Sequence, residues 1–257
     1  MNTTFRKRLQ QGELLTGLFV TIGIPETGEI LSSSGFDWLC IDAEHAPLSP
    51  LHVQRVIQGA AGRCASLVRI SAVSELAVKQ ALDTGADGII VPLVNSPEDA
   101  QKIVHWAHYA PEGCRGVGLA RAHGYGMRFS EYIERANQDT VVVIQAEQIE
   151  AVERIEEIVA VPGVDGVFVG PYDLSASLGH LGEVNHPDVT AAIDKVFTAC
   201  REAGKAAGVF GMGAQAVAPY IQRGFTLIAA GVDVAVLGNA AAALNGDLRK
   251  LKRISGN

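Results

Sequence analysis

Eight short runs of apolar, β-favouring residues recur along the 257-residue chain, and each gives way to a stretch with helical patterning. The runs are "LLTGLFVTI", "DWLCID", "ASLVRI", "GIIVPLV", "TVVVIQAE", "GVFVG", "KAAGVFG" and "TLIAAGVD". They are nearly continuous rather than alternating in polarity, which marks strands buried on both faces of a parallel sheet. Between them lie "SPLHVQRVIQGAAG", "SELAVKQALDTG", "SPEDAQKIVHWAHYA" and "HPDVTAAIDKVFTACREAG", several of which open with Ser or Pro and close on Gly, as helices do. "GADGIIVP", "GVDGVFVG" and "GVDVAVLG" share the look of a helix end running into a strand, which points to a repeated βα unit. Eight such units in about 250 residues fit an α/β fold of the TIM (β/α)8 barrel type, with a doubly wound open sheet as the alternative. No low-complexity linker interrupts the pattern, so residues 1–257 read as one domain.

Composition narrows the function classes. Hydrophobic residues make up 48% of the chain and the formal charge is −7, with no basic tract, so no nucleic-acid partner is expected. No window approaches the roughly 20 apolar residues of a membrane span, and "MNTTFRKRLQQGELL" lacks the apolar core of a signal peptide. Cys40, Cys64, Cys114 and Cys200 are far apart and never form CxxC. They read as buried thiols of a cytoplasmic protein.

In a barrel, chemistry collects where strands end and βα loops begin. "WLCIDAEHAP" ends the second run with Asp42, Glu44 and His45; the third ends in Arg69; the fifth ends in Gln145 and Glu147; and "GPYDLS" follows the sixth with Asp173. Any one of these charges alone would pass as a cap or a surface group. Four strands delivering them to one rim define a site. Glu147 and Asp173 are placed to share a small cation with room left for water and substrate, which suits Mg²⁺ or Mn²⁺, although Asp173 could instead cap a short helix. Arg69, ending an apolar strand, needs an anionic partner and can hold a carboxylate or a developing oxyanion. His45 is a candidate general base, with Asp42 or Glu44 to orient it. His105 and His108 read as a solvated helix face. Together these groups fit proton abstraction next to a 2-keto acid.

The combination resembles the metal-dependent class II pyruvate aldolases of the HpcH/HpaI type. "GFDWLCIDAEHAP", "LVRI", "GIIVPLV", "RGVGLARA", "VVVIQAE", "VDGVFVGPYDLSASLG" and "AAGVD" carry the resemblance over nearly the whole chain. It implies a barrel of the phosphoenolpyruvate/pyruvate type, a homohexamer, and a C-terminal helix exchanged between subunits. It also implies cleavage of 4-hydroxy-2-oxo acids to pyruvate and an aldehyde through a metal-stabilised enolate. Residue by residue it implies a divalent ion (Mg²⁺, Mn²⁺ or Co²⁺) at Glu147 and Asp173, the base at His45, and transition-state stabilisation by Arg69. Pyruvate contacts are implied from Gln145 and from the backbone of Tyr172 and Asp173. Asp83, which the pattern couples to the histidine, lies at a helix end leading into the fourth strand and would reach His45 only from another subunit.

The same residues bear on other mechanisms. A Schiff-base aldolase needs a lysine at the catalytic rim, and of the chain's lysines only Lys205 is near a strand, at its wrong end. A citrate-lyase-type enzyme acting on CoA thioesters and a barrel that only binds a keto acid are the alternatives. The segment "APEGCRGVGLARAHGYGMRFS" looks too long for a simple βα turn. Read as a loop following the fourth strand, it offers Arg121 to the aldehyde.

Overall fold

The computed structural model describes residues 4–254 and closes eight parallel strands into a barrel in sequence order. The strands are β1 Leu15–Val20, β2 Trp38–Asp42, β3 Ala65–Arg69, β4 Gly88–Val91, β5 Val141–Ala146, β6 Gly166–Val169, β7 Ala206–Phe210 and β8 Leu227–Val232. Every apolar run forms its expected strand, and the fold is a TIM barrel. Helices α1 Phe5–Gln10, α2 Pro25–Ser32, α3 Pro50–Ala60, α4 Glu75–Asp83 and α5 Pro97–Ala107 occupy the first half. The second half holds α6 Phe129–Asp139, α7 Ile149–Glu153, α8 Ile155–Val159, α9 Pro171–Ser177, α10 Pro187–Glu202, α11 Ala214–Arg223 and α12 Asp233–Ile254. Helix starts follow the sequence signals: Ser74 and Ser96 accept the backbone N–H groups of Ala77 and Asp99, capping α4 and α5. Among the described residues no helix is long and apolar enough to cross a membrane.

The period of two along each strand sorts its side chains into two cores. Outward residues such as Leu39, Ile41, Val68, Ile89, Val142 and Val167 pack beneath the helices. Inward residues such as Leu15, Trp38, Leu67, Val143 and Phe168 fill the barrel. Two glycines make this interior possible, because a Cβ on Gly17 or Gly208 would lie 2.5 Å from the Trp38 or Phe168 ring. The inward column is apolar at the N-terminal end. It turns polar only where the strands finish.

The repeated aspartates have a structural role. Asp37, Asp87 and Asp165 stand just before β2, β4 and β6, and accept the N–H groups of Thr16, Ser66 and Val142 at 2.9, 2.8 and 3.0 Å. "GVDVAVLG" is not a third copy of this unit. Its Asp233 ends β8 and opens α12 at the opposite rim, where one oxygen accepts the N–H groups of Thr21 and Ile22 at 2.9 and 2.8 Å. The true third member is "GFDWLCI", where Asp37 precedes β2 as Asp87 and Asp165 precede β4 and β6.

Helix α12 stands apart from the barrel. Val236, Leu237, Leu244 and Leu248 are more than half exposed along it. Two smaller expectations fail. His108 is buried, its Nδ1 facing the Val104 carbonyl oxygen at 2.7 Å, because α5 has already ended and the chain turns inward there. Cys114 is exposed and Cys64 only half-buried, so burial holds for Cys40 and Cys200 alone.

Candidate active site

The polar ends of the inward columns meet at the C-terminal rim. Following each strand inward by twos leads to Thr21, Asp42, Arg69, Gln145 and Glu147; of these Thr21, Asp42, Arg69 and Gln145, with His45, Tyr172 and Asp173, line a cavity of about 320 Å³, and Glu147 lies buried beside Gln145. Asp42 and Arg69 are register partners on β2 and β3. That alignment lets the Arg69 guanidinium donate from Nε at 3.0 Å and from Nη2 at 2.7 Å to the two oxygens of Asp42. The arginine also lies over the Phe19 ring, 4.7 Å from its centroid. Burial works against its charge, but the bonds to Asp42 prevail and hold its pKa above the ordinary arginine value. Arg69 is a fixed cation aimed into the cavity.

Asp42 is therefore a positioning residue. Its Oδ1 also accepts the N–H groups of Glu44 and His45 at 3.1 and 3.2 Å, which shapes the turn that follows β2. The His45 ring itself faces Glu44, with Nε2 3.7 Å from Oε2, and its side chain is 65% exposed, so it is free to meet a substrate. The same Glu44 oxygen lies 3.3 Å from Arg69 Nε, yet it is buried and has no hydrogen bond. Burial, opposed by the Arg69 charge, pushes the Glu44 carboxyl above its usual range.

Glu147 is buried beyond the end of β5. Its Oε1 accepts the Leu93 N–H at 2.8 Å, and its Oε2 accepts from the Gln145 amide. Leu93 has a φ of 56°, a left-handed conformation that a branched side chain rarely takes, and this turns its N–H onto the carboxylate. Burial first, and the Asp173 carboxylate in addition, push the Glu147 pKa up, while the bonds from Gln145 and Leu93 oppose the shift. Asp173 lies in the first turn of α9, whose N-cap is Gly170, and it makes no capping bond. A buried carboxylate with a second carboxylate close enough to raise its cost of ionisation is a setting that a shared cation would relieve. Both side chains border Gly170: a Cβ there would stand 3.6 Å from Asp173 Oδ2 and 3.6 Å from Glu147 Cβ. An all-oxygen pair of this kind fits a hard divalent ion. The buried Gln145 Oε1, without a partner, points to a further polar group in the cavity.

Two features of the cavity were not legible in the strand-end residues. Phe19, Phe168 and Phe210 form an aromatic wall, with Phe19 5.2 Å from Phe210 and 6.2 Å from Phe168 between ring centroids. Their inward phase along the strands was the available signal. Leu93 gave none, because a left-handed φ at leucine is invisible in sequence. No lysine lines the cavity among the described residues, and Lys205 Nζ instead donates to Val164 O at 2.7 Å near the start of β7.

Comparisons with known proteins place the chain in a family. The family model described as HpcH/HpaI aldolase/citrate lyase matches residues 15–240. The chain belongs to that family. It is 39% identical, over 95% of its length and 92% of the relative's, to a 4-hydroxy-2-oxo-heptane-1,7-dioate aldolase of Shigella flexneri. It is 38% identical to a hydroxypyruvate/pyruvate aldolase of Roseobacter denitrificans, over 92% of this chain and 93% of the relative. A solved HpcH/HpaI-family structure from Burkholderia cenocepacia superposes with a TM-score of 0.91 at 38% identity, covering 95% of this chain and 98% of that one.

Within this family framework, two predicted residues lie away from the cavity. The long glycine-rich loop follows α5, not β4, so the chain has already run back to the N-terminal rim when the loop begins. Arg121 there donates to the Thr84 carbonyl at 2.8 Å, just past the end of α4, and in its own barrel it cannot meet an aldehyde at the C-terminal rim. Asp83 ends α4 at that same rim and receives Arg115 Nη2 at 3.0 Å, with the Arg115 side chain fully buried. His123 organises the loop, accepting the Gly126 N–H on Nδ1 at 3.1 Å and turning Nε2 towards the Gly118 carbonyl.

Proposed function

We propose that this chain is a carbon–carbon lyase, a divalent-metal-dependent class II aldolase that reversibly cleaves 4-hydroxy-2-oxo acids to pyruvate, or a close 2-keto acid, and an aldehyde. The observation that carries the reading is the meeting of Asp173, a clamped arginine and an exposed histidine around one cavity, with the buried Glu147 carboxylate beside Gln145 at its edge. Glu147 and Asp173 would hold the ion, Mg²⁺, Mn²⁺ or Co²⁺. When bound, it supplies Lewis-acid polarisation of the 2-keto group.

The chain's own residues account for the rest. Gln145 and the free N–H groups of Tyr172 and Asp173, at the start of α9, receive the substrate carboxylate. In the cleavage direction His45 takes the proton of the 4-hydroxyl, the C3–C4 bond breaks, and its electron pair flows into the 2-keto group. Arg69 meets the charge that develops on that oxygen, and the Asp42 clamp keeps it from moving away. Glu44, 3.7 Å from His45 Nε2, steadies the ring while it carries the proton. The proton then returns to C3 and completes pyruvate. The aromatic wall limits water near the reacting carbons.

The working form is a homo-oligomer, by resemblance a hexamer, with α12 exchanged between neighbours, acting on small molecules in the cytoplasm. The apolar face of Leu237, Leu244 and Leu248 along an outstanding helix supports that arrangement. The free cysteines support a reducing compartment. Asp83 is assigned to the His45 of a neighbouring subunit, consistent with its position at the rim opposite its own site.

A retro-aldol screen over 4-hydroxy-2-oxo acids, with pyruvate detected by a coupled assay, tests the function. The expected result is cleavage that chelation abolishes and Mg²⁺, Mn²⁺ or Co²⁺ restores. Full cleavage in excess EDTA, or substrate trapping by borohydride, would overturn it.

A further inference from the structure

A second cluster of metal-ligating side chains lies outside the cavity, on the loop that joins α9 to α10. One ligand atom from each of His180, Glu183 and His186 falls within 4.8 Å of the others. The backbone creates this convergence. Glu183 N–H donates to His180 O and His186 N–H to Glu183 O, each at 2.8 Å. Successive bonds three residues apart bring residues 180, 183 and 186 onto one face. The two imidazoles stack with centroids 3.5 Å apart. Asp188 Oδ2 lies 3.1 Å from His180 Nε2 and 3.6 Å from His186 Nδ1, so a second carboxylate is already in reach.

This donor set differs in kind from Glu147 and Asp173. Two imidazoles with carboxylates suit a late first-row ion, whereas oxygen-only ligands suit harder ions. Two neutral imidazoles and two carboxylates also balance the charge of one divalent cation. Binding would replace the His180–Asp188 contact and require the stacked rings to splay. The loop adjoins the catalytic rim: Gly182, between His180 and Glu183, has the position of a Cβ 3.2 Å from Tyr172 Oη, and its N–H donates to Ser175 Oγ at 3.0 Å.

We propose that His180, Glu183 and His186, with Asp188 beside them, form a second divalent-metal site for a Zn²⁺-class ion, which clamps the α9–α10 loop against Tyr172. The site is separate from the catalytic pair and does not depend on which substrate the cavity takes.

The test is equilibrium dialysis of the full-length protein with Zn²⁺ alone as the probe, in excess Mg²⁺ to fill the oxygen site, for the parent, His180→Ala and Glu183→Gln. His186 is left intact because its Nδ1 accepts the Asp188 N–H at the start of α10. The parent should bind one more Zn²⁺ than His180→Ala, and Glu183→Gln should bind it more than about tenfold more weakly, since even outer-shell changes at metal sites cost about 10–100-fold. Co²⁺ in place of Zn²⁺ should give a visible absorption band that His180→Ala lacks. Limited proteolysis should find the 178–186 loop protected by Zn²⁺ in the parent only. Equal Zn²⁺ stoichiometry and affinity in all three proteins, with no Co²⁺ band lost, would overturn the proposal. Because each readout is binding, spectroscopy or cleavage of the loop, its failure is distinct from a failure of the aldolase reading.

Discussion

The two ends of the barrel both carry buried carboxylates, but they treat them differently. At the N-terminal rim Asp37 and Asp165 receive backbone N–H groups and arginines, Arg8 at 2.8 Å and Arg6 at 2.8 Å respectively. Their charge is fully spoken for. At the C-terminal rim the Asp173 carboxylate adds to the cost of charging the buried Glu147, Glu44 keeps an oxygen without a hydrogen bond, and Gln145 keeps another. Similar side chains thus act as rivets at one end and, in the proposed function, as metal ligands or proton handlers at the other. The difference lies in how many donors surround them.

The largest effect that would sharpen this contrast is on catalysis. His45→Ala should slow retro-aldol turnover by about 10²–10⁴-fold, the scale of a positioned general base, with thermal stability nearly unchanged because the side chain is exposed. Turnover within a factor of a few of the parent would break the assignment. Next comes Arg69→Ala, expected to cost about 10²–10³-fold in kcat, as for loss of an oxyanion donor. A change confined to KM would show that Arg69 only binds.

At the other rim the effect should be on stability alone. Asp165→Ala removes the partner of the largely buried Arg6 and of the Val142 N–H, and should cost about 3 kcal/mol with kcat per folded molecule intact. Denaturant unfolding beside an active-site titration would show it. A loss of turnover without a loss of stability would mean that the two rims are not separate.

The smallest effect concerns Asp87. Burial raises its pKa above the usual aspartate value, although the Ser66 N–H and the Arg121 charge oppose the shift. The folded state therefore holds this proton more tightly than the unfolded state does. Its contribution is present below the unfolded pKa and is lost as pH rises through the folded one. Asp87→Asn should thus lose ground to the parent as pH falls through the carboxylate range, and be within about 1 kcal/mol of it at neutral pH. The opposite trend would show that Asp87 is held as an anion.

Sequence resolved the fold better than the site. Continuous apolar runs identify buried parallel strands without knowledge of their neighbours, and the inward phase then carries Asp42, Arg69, Gln145 and Glu147 to one rim. Partnership was harder to read. Asp42 was a candidate to orient His45, but register pairs it with Arg69, and register is a tertiary fact. The loop around Arg121 was misplaced because its length does not say whether a strand or a helix precedes it. "GVDVAVLG" resembled its cousins in composition and differed in what came next. Which subunit supplies Asp83 depends on chains outside any one sequence. It is testable by mixing: subunits with Asp83→Ala and subunits with His45→Ala, each inactive alone, should regain activity in hybrids if the acid serves a neighbour. Hybrids that stay inactive would return Asp83 to its own barrel.

In the proposed mechanism the C-terminal rim removes a proton beside a 2-keto group with the help of an ion held by Glu147 and Asp173. Deuterium exchange into the methyl group of pyruvate, followed by NMR without any aldehyde, isolates that step. The account predicts exchange in the presence of Mg²⁺, Mn²⁺ or Co²⁺ that stops on chelation and in Glu147→Gln. Exchange that continues at the parent rate in excess EDTA, or that survives Glu147→Gln unchanged, would contradict it.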